Sequence, residues 1–537
     1  MKTVNHLSFA LIARSIASPV VDTNKITVDA SPAKNANSPL EHFLSYFIEF
    51  SSFADFAGNR SNPNTYSYNL LSNIAKYAGS QPLVRVGGNT QDLTLFNASQ
   101  KSAVQQYFNA QNPDYPANQT IGPAFFESYQ TWPGVHFSHG FNLADNSTAH
   151  RQALLDSVPY ACRALRDRFY GWELGNEPDF YALPISGPNP PRGSGRNEEQ
   201  YAAEWLEWPR KIRSQVQKAC PDLAKDSVYK YLAPSLAGSP ALSNFSAAKI
   251  FSAGLDSDNT VGILSQHKYI AARGQPGITL QGTLINHTSN KRAVNELLAV
   301  SASIQNIPNK KLVPKNAPFI LGEGNSLARQ GIGGLSNSFG AALWGLDYGL
   351  TLVSSGIGRW HMHQGTNYRY QAWQPIETRN ATRGTKAPYY GNIATSAFLG
   401  DLTKSRPQVV DLGLQRFDES AYASYVNGKL AKIAVINLRE YNASADNASK
   451  TSAGRPSKSY TFQLPRYCRG ASVQRLSANG SDAIRGVTFD GFSYAAELNE
   501  GRPVRLNNVT RGESVAVRKG ELTIQVPNSG AVILSLQ

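Results

Sequence analysis

Two acidic residues, Glu177 and Glu323, each follow an apolar run of the kind that forms a buried strand. The run Phe169–Gly175 leads into Asn176-Glu177-Pro178, and because a proline cannot donate to a sheet ladder, the strand must end near Glu177. The second run, Phe319-Ile320-Leu321-Gly322, leads into Glu323. In a barrel of parallel strands, the C-terminal strand ends carry the reacting groups. Two carboxyl groups at two such ends predict the chemistry of glycoside hydrolysis, which uses one as a proton donor and one as a nucleophile or base.

Strands and helices that would position these carboxyl groups alternate through the first part of the chain. Apolar strands are predicted at Leu44–Phe50, Leu83–Gly87, Val135–Phe141, Phe169–Gly175, Tyr229–Ala233, Gly262–Tyr269, Phe319–Glu323 and Ile357–His363. Helices between them are predicted at Asn69–Ala78, His150–Arg168, Glu198–Ala219, Lys291–Ser303 and Ser338–Leu350. The alternation predicts an α/β fold, a (β/α)8 TIM barrel over residues 40–396, with Glu177 on the fourth strand and Glu323 on the seventh.

The C-terminal part of the chain has a different pattern. From about residue 397 short alternating runs replace the helical periodicity, and Gly, Asn and Pro separate them. They predict a C-terminal β-sandwich over residues 397–537, with strands at Ala421–Val426, Ala431–Asn437, Ser459–Leu464, Ala471–Leu476, Ser514–Val517 and Glu521–Val526. Within residues 19–39, the run Lys25–Ala30 is strand-like and could add a strand to this sandwich.

Charge and composition narrow the class of partner. The chain has 537 residues with 52 basic and 38 acidic side chains, for a net charge of +14. This excess favours an anionic partner, but the basic residues are scattered, without the clusters of a nucleic-acid surface. The sequence contains no run of about 18 apolar residues, so no membrane span is predicted. An anionic carbohydrate is the predicted partner, with neither nucleic acid nor membrane; a basic surface without a specific ligand is the alternative.

Several features favour secretion. Residues 1–18 have a short basic head and an apolar centre and are a candidate signal peptide, although Asn5, His6 and Arg14 are atypical of one. N-glycosylation sequons run along the whole chain, at Asn59, Asn97, Asn118, Asn146, Asn244, Asn286, Asn380, Asn442, Asn447, Asn479 and Asn508. A secreted, extracellular glycoprotein is therefore expected. Of the three cysteines, Cys162 and Cys220 could bridge neighbouring helices and leave Cys468 free, a pairing that the sequence leaves open.

Four motifs resemble those of a known family. Trp172–Pro178 is similar to the acid/base motif of the large clan of retaining barrel glycosidases, which carry the two carboxyl groups on strands four and seven. Arg85–Asn89, Gly322–Ser326 and Gly365–Tyr368 resemble glycoside hydrolase family 79 more narrowly, a family of exo-β-glucuronidases and heparanases. The resemblance runs from about Glu41 to the C-terminus, since these enzymes also carry a β-sandwich after the barrel.

The resemblance implies roles for individual residues. Glu177 would be the acid/base and Glu323 the nucleophile, Asn176 would hold the sugar 2-hydroxyl, and Tyr269 would donate to the nucleophile. Further substrate contacts are expected from Glu49, Asn89, Asp92, Tyr368 and the backbone N–H groups of Thr366 and Asn367. The loop after the nucleophile, Leu327-Ala328-Arg329-Gln330, departs from the family pattern, because some members place a tyrosine there. Arg329 is therefore a second candidate for contact with an anion.

The predicted function is a retaining exo-β-glucuronidase without a cofactor, acting on terminal β-linked glucuronic acid with or without a 4-O-substituent. The long insert Tyr181–Asn197 favours exo action by closing one end of the cleft. An endo-acting heparanase-like enzyme, an arabinofuranosidase or xylosidase of the clan, and an inactive sugar-binding protein are the alternatives. His361 and His363 share one face of the eighth strand, but without an evident third ligand they are interpreted as hydrogen-bonded barrel histidines and no metal is predicted.

Overall fold

The computed structural model describes residues 25–109, 115–183, 191–238, 242–443 and 454–537. The candidate signal peptide and part of the insert Tyr181–Asn197 lie outside the described residues. Within them, no helix is long and apolar enough to cross a bilayer.

Eight parallel strands close into a barrel, which confirms the predicted TIM-barrel fold. In chain order, barrel strands 1 to 8 are Leu44–Glu49, Val84–Gly87, Phe137–Phe141, Phe169–Leu174, Tyr231–Leu236, Val261–His267, Phe319–Gly324 and Trp360–Gln364. Strand 8 pairs with strand 1, for example at Met362 and Tyr46, and so completes the ring. Glu177 therefore follows strand 4, and Glu323 lies in strand 7.

The predicted helices are present with ends shifted by a few residues. The helices are Phe53–Ala57, Thr65–Ala78, Thr148–Leu165, Glu198–Ala219, Ala247–Ser252, His287–Gln305, Phe339–Ser354, Ala387–Leu399 and Ala496–Asn499. Asn197 begins the longest of them with a capping box, in which its side chain accepts from the Gln200 N–H and the Gln200 side chain accepts from the Asn197 N–H. Between strands 2 and 3 an inserted three-stranded sheet (Thr94–Phe96, Val104–Tyr107, Asn118–Ile121) and the 3-10 helix Pro123–Gln130 take the place of a barrel helix.

The C-terminal region is a β-sandwich, as predicted. Its larger sheet has nine strands: Gln408–Asp411, Glu419–Val426, Lys429–Asn437, Gly530–Leu536, Gly470–Ser477, Thr488–Phe489, Phe492–Ser493, Val504–Arg505 and, beside Gly470–Ser477, Glu513–Ala516. The smaller sheet has three: Ile26–Thr27, Ser457–Gln463 and Glu521–Pro527. The central strand Gly530–Leu536 was not predicted, because its residues are apolar without alternation.

Two helices that are buried on every face join the barrel to the sandwich. Phe339–Ser354 and Ala387–Leu399 are buried along nearly their whole length, because one side covers the barrel and the other meets the sandwich. A disulfide links Cys162, in the helix Thr148–Leu165, to Cys220 at the end of the helix Glu198–Ala219. Cys468 is a buried free thiol.

A buried ionic network also crosses this interface. The imidazole Nδ1 of His287 lies 3.1 Å from both carboxylate oxygens of Asp347, and its Nε2 lies 3.6 Å from Asp411 in a sandwich strand. The hydroxyl of Tyr422 donates to Asp347 at 2.6 Å. Burial opposes a charge on His287, but the two aspartates outweigh it and raise the pKa of His287 to about 10. The pKa of Asp411 falls to about 2, because His287 and Lys291 outweigh its burial.

We expect His287→Asn to destabilise the fold at pH 6 by about 3–5 kcal/mol, because it leaves Asp347 as an uncompensated buried charge. The contribution of His287 is complete below its ordinary pKa of 6.5 and disappears as the pH rises through about 10. The contribution of Asp411 is complete above 3.8 and disappears as the pH falls through about 2. Chemical unfolding at pH 6 and at pH 10 should show that the difference in free energy of unfolding between wild type and variant is smaller at the higher pH.

The control is Arg210→Ala, which breaks an exposed pair with Asp258 and should leave the free energy of unfolding close to that of the wild type at both pH values. If the loss of unfolding free energy caused by His287→Asn were the same at pH 6 and at pH 10, this would contradict a charged His287.

Candidate active site

The carboxyl groups of Glu177 and Glu323 meet at the barrel mouth. Glu177 adopts a left-handed conformation (φ 49°, ψ 53°) and its N–H donates to the carbonyl of Ser235 at 3.0 Å, so that Pro178 begins a short 3-10 helix. One oxygen of Glu177, one oxygen of Glu323 and a ring nitrogen of His267 all lie within 4.8 Å of one another. Retaining glycosidases hold their two carboxyl groups about 5–5.5 Å apart, whereas inverting ones need about 6.5–9.5 Å. The separation fits a retaining mechanism.

Glu323 is held by donors on both of its oxygens. The hydroxyl of Tyr269 donates to Oε1 at 2.8 Å, and His363 Nδ1 lies 3.3 Å from the same oxygen. Arg85 Nη1 donates to Oε2 at 3.2 Å, and His267 Nδ1 lies 3.3 Å from that oxygen. The carboxylate is thereby oriented and ionised, which a nucleophile requires.

The two carboxyl groups have pKa values displaced in opposite directions. Burial alone would raise the pKa of Glu323, but the adjacent rings of His267 and His363 and the guanidinium of Arg85 outweigh it and hold the pKa below its ordinary value. The pKa of Glu177 lies well above its ordinary value, because the residue is buried and faces the negative charge of Glu323. One group is therefore a protonated acid and the other an ionised nucleophile, the division that glycoside hydrolysis needs.

Arg85 connects the acidic residues of the barrel interior, and sequence reasoning did not assign it a role. Its fully buried guanidinium donates to Glu173 and to the side-chain oxygen of Asn176, both at 2.6 Å, as well as to Glu323. It also lies 3.9 Å above the ring of Phe47. Arg85 thus balances two buried carboxylates and orients the amide that precedes Glu177.

His267 and His363 were also not assigned as site residues. His267 Nδ1 lies 3.0 Å from Glu177 and therefore bridges the two reacting groups. Burial lowers the pKa of His267 to about 3, so it is neutral and the lasting positive charge beside Glu323 comes from Arg85 and His363. Glu177, His267 and Glu323 also have the spacing of metal ligands, but Arg85 already supplies a positive charge to this cluster.

His361 and His363, considered above as a metal pair, both have hydrogen-bond partners. His361 Nδ1 donates to the Tyr46 carbonyl at 3.3 Å, and His363 Nδ1 lies 2.9 Å from the hydroxyl of Tyr370. This arrangement is that of hydrogen-bonded barrel histidines.

The candidate sugar-binding residues next to Glu177 form one network. Asn176 donates from its side chain to Asn89, an exposed residue on the rim, at 2.7 Å. The buried carboxylate of Asp92 accepts from the N–H of Asn176 at 2.8 Å and from the hydroxyl of Tyr181 at 2.7 Å. It also accepts from the N–H of Leu143 at 2.9 Å. Asp92 is therefore buried and positions Asn176, and its direct contact with a substrate stays a prediction.

Glu49, at the end of strand 1, lies on the opposite side of the mouth. Its Oε1 accepts from the N–H of Thr90 at 2.9 Å, and its Oε2 lies 3.3 Å from His363 Nε2 and 3.3 Å from the hydroxyl of Tyr368. The carboxylate is fixed, and it faces the same histidine that contacts Glu323.

Comparison with known proteins identifies the family. Residues 421–533 match the model of the glycosyl hydrolase family 79 C-terminal beta domain. The chain is 46% identical over 525 residues to a beta-glucuronidase of Aspergillus niger, which covers 96% of this chain and 94% of that protein. It is 43% identical over 543 residues to a beta-glucuronidase of Neurospora crassa, with 96% and 95% covered. The chain belongs to glycoside hydrolase family 79.

Solved structures share the architecture of this family 79 chain. A 4-O-alpha-L-rhamnosyl-beta-D-glucuronidase from Fusarium oxysporum is 24% identical with a TM-score of 0.74, over 95% of this chain and 100% of that one. A family 51 alpha-L-arabinofuranosidase from Bifidobacterium longum is 13% identical with a TM-score of 0.58, over 96% and 99%. Both similarities support the barrel-and-sandwich fold.

The loop after strand 8 in this family 79 chain differs from what the sequence analysis expected. The N–H of Thr366 donates to the hydroxyl of Ser52 at 3.0 Å, and the N–H of Asn367 donates to the side chain of Gln374 at 3.0 Å. Both backbone donors are therefore occupied within the protein, where the sequence analysis expected them to face the carboxylate of a substrate; their contact with a substrate stays a prediction. A sequence cannot show which backbone donors tertiary contacts will occupy.

Tyr368 and Arg329 remain candidates for contact with the substrate. The Tyr368 side chain is buried beside Glu49, while Arg329 is exposed in a left-handed conformation (φ 60°) in the loop after strand 7.

Proposed function

We propose that this family 79 protein is an exo-acting, retaining β-glucuronidase that removes terminal β-linked glucuronic acid. The observation that carries the proposal is the carboxyl pair Glu177 and Glu323, whose oxygens approach within 4.8 Å and whose pKa values are displaced in opposite directions. The substrate class is supported by the beta-glucuronidases that are 43–46% identical to this chain over nearly their whole length.

The reaction would proceed in two displacements. Glu323 attacks the anomeric carbon while the protonated Glu177 gives its proton to the leaving oxygen, and a covalent glycosyl-enzyme forms on Glu323. Glu177, now ionised, takes a proton from water, and the resulting hydroxide equivalent releases the sugar with its original configuration. Tyr269 and Arg85 keep Glu323 ionised and oriented before the attack.

Exo action is favoured by the insert after strand 4. Arg192 and Arg196 in this insert both donate to Glu204, at 2.6 and 2.8 Å. Arg196 also donates to the carbonyl of Pro178, the residue after Glu177, at 3.4 Å, so the described part of the insert is fixed near Glu177. A wall at this place would close one end of the cleft. The Fusarium oxysporum protein of similar fold is named for a 4-O-rhamnosyl substrate, so glucuronides with a 4-O-substituent belong among the substrates to test.

The proposal is tested with matched aryl glycosides. We expect release of the aryl group from the β-glucuronide and much slower release from the β-glucoside, with the β-anomer of glucuronic acid as the first product by proton NMR. A preference for the glucoside or for an arabinofuranoside would overturn the substrate class. On a polysaccharide with terminal glucuronic acid, monosaccharide alone indicates exo action, and oligosaccharides would indicate an endo enzyme.

Tyr368 is the best placed candidate to recognise the carboxylate of the sugar. Its hydroxyl donates to Glu49 at 3.3 Å, longer than the usual 2.7–2.8 Å, so the hydrogen can turn to a closer acceptor at small cost. We expect Tyr368→Phe to lower kcat/KM on the aryl glucuronide by roughly 10- to 150-fold, since a hydrogen bond to a charged acceptor is worth about 1.5–3 kcal/mol. The aryl glucoside should lose far less. Equal losses on the two substrates would mean that Tyr368 acts by holding Glu49.

Secretion and N-glycosylation are part of the proposal. Several sequon asparagines are exposed and available to a glycan: Asn59, Asn97, Asn118, Asn146, Asn244, Asn380, Asn479 and Asn508. The disulfide Cys162–Cys220 also suits an oxidising compartment. Intact mass before and after removal of N-glycans, on protein from a eukaryotic host, tests this.

A further inference from the structure

The sheet inserted between strands 2 and 3 is hydrogen-bonded to the loops that follow strands 1 and 2. The side chain of Gln106 donates to the carbonyl of Ser51 at 2.7 Å, just beyond strand 1. The side chain of Gln119 donates to the carbonyl of Thr90 at 3.2 Å, and Thr90 is the residue whose N–H holds Glu49. The insertion is thus fixed beside one of the acidic groups of the barrel mouth.

Tyr115 lies in the connection of this insertion, between the paired residues Tyr107 and Asn118. Its hydroxyl oxygen is buried and has no hydrogen-bond partner in the part of the chain that the structure describes. A buried donor left unpaired costs about 1–3 kcal/mol, and nearly all buried polar groups in native proteins find a partner. The hydroxyl is therefore available to a ligand.

The hydroxyl of Tyr115 lies within electrostatic range of the acidic groups of the barrel mouth. Burial and the negative charges of Glu49, Glu323, Glu177 and Asp92 together raise the pKa of Tyr115 well above its ordinary value. The hydroxyl consequently stays protonated and is a donor at any pH at which the protein would work. Tyr115 also lies near enough to Tyr368 to contribute to the raised pKa of that residue.

We propose that Tyr115 determines substrate specificity by donating its hydroxyl hydrogen to a ring hydroxyl of the sugar bound between Glu49 and the reacting carboxyl pair. This inference rests on the proposed glycosidase function. A sugar hydroxyl fits this place because it can accept from Tyr115 and donate to a carboxylate such as Glu49 at the same time.

Two single substitutions on the same hairpin test the inference. Tyr115→Phe removes only the unpaired hydroxyl, and Tyr107→Phe, at a residue that is 49% exposed, is the matched control. We expect Tyr115→Phe to lower kcat/KM on the aryl glycoside that the wild type cleaves best by roughly five- to fifteenfold. Its melting temperature should equal or exceed that of the wild type, because the hydroxyl contributes no hydrogen bond to the folded protein. Tyr107→Phe should match the wild type in both measurements.

Deoxygenated substrates identify the contact. The kcat/KM values of wild type and Tyr115→Phe are measured on aryl glycosides that lack the 2-, 3- or 4-hydroxyl. For one of these substrates, the ratio of the wild-type value to the variant value should fall to about one. This would place the hydrogen bond on that hydroxyl, a result that a structural role for Tyr115 would not give.

The outcomes separate this inference from the proposed function. A loss below twofold for Tyr115→Phe, a loss accompanied by a lower melting temperature, or a ratio that no deoxygenation changes would overturn the role of Tyr115. A wild type that cleaves another aryl glycoside in preference to the glucuronide would overturn the proposed substrate, while the role of Tyr115 would still be decided on the preferred glycoside.

Discussion

Replacing Glu323 by glutamine should reduce kcat on an aryl β-glucuronide by roughly 10⁴-fold or more, because the amide cannot form the covalent glycosyl-enzyme. The substitution keeps the shape of the side chain, but its single amide oxygen can accept from only one of Tyr269 and Arg85, which contact different oxygens of Glu323. A 2-fluoro glucuronide with a good leaving group should label the wild type on the peptide containing Glu323 and should leave the variant unlabelled. Residual activity above about 1% of the wild type, or labelling of another carboxylate, would contradict the assignment.

The matched control for this experiment is Glu173→Gln. Glu173 is as deeply buried as Glu323 and pairs with the same guanidinium of Arg85, at 2.6 Å. The variant therefore alters a buried carboxyl group beside the same guanidinium without removing the nucleophile. We expect it to lower stability, by leaving Arg85 less well compensated, and to retain covalent labelling at Glu323.

The fold and the carboxyl pair could be predicted because both have local signals in the sequence. Short apolar runs that alternate with amphipathic helices indicate a parallel barrel whatever the side chains later contact. Glu177 is marked by the proline after it and Glu323 by the glycines on either side. Counting strands then placed the two residues across the mouth, where the structure has them within reach of His267.

The supporting residues could not be predicted in the same way, because their roles depend on contacts between strands that are distant in the sequence. Arg85 sits between two valines in an ordinary strand run, and only closure of the barrel brings Glu173 and Glu323 to its guanidinium. The backbone N–H of Thr366 is the opposite case: the sequence shows no partner for it, but after folding it donates to the hydroxyl of Ser52. Tyr115 belongs to an insertion, and no periodicity links an insertion to the site.

Replacing Glu177 by alanine should have an effect that depends on the leaving group. Burial and the charge of Glu323 raise the pKa of the wild-type residue well above its ordinary value and so favour its protonated form. Glycosides with poor leaving groups need that proton and should lose roughly 10²–10⁴-fold in kcat/KM. Activated aryl glycosides should lose little in this parameter, since their first displacement proceeds without the acid. An equal loss on both types would indicate that Glu177 is not the proton donor.

The same variant should reveal the stereochemistry through an external nucleophile. In the second step Glu177 acts as a base for water, so the alanine variant should accumulate the glycosyl-enzyme on Glu323 when an activated substrate is supplied. Azide needs no base and fits the space that the carboxylate leaves, so it should restore turnover in a concentration-dependent way and give the β-glucuronosyl azide. The β configuration follows because two inversions at the anomeric carbon return the original one. Azide should not accelerate the wild type, and an α-linked azide from the variant would mean a single displacement, which the 4.8 Å limit on the separation of the carboxyl oxygens argues against.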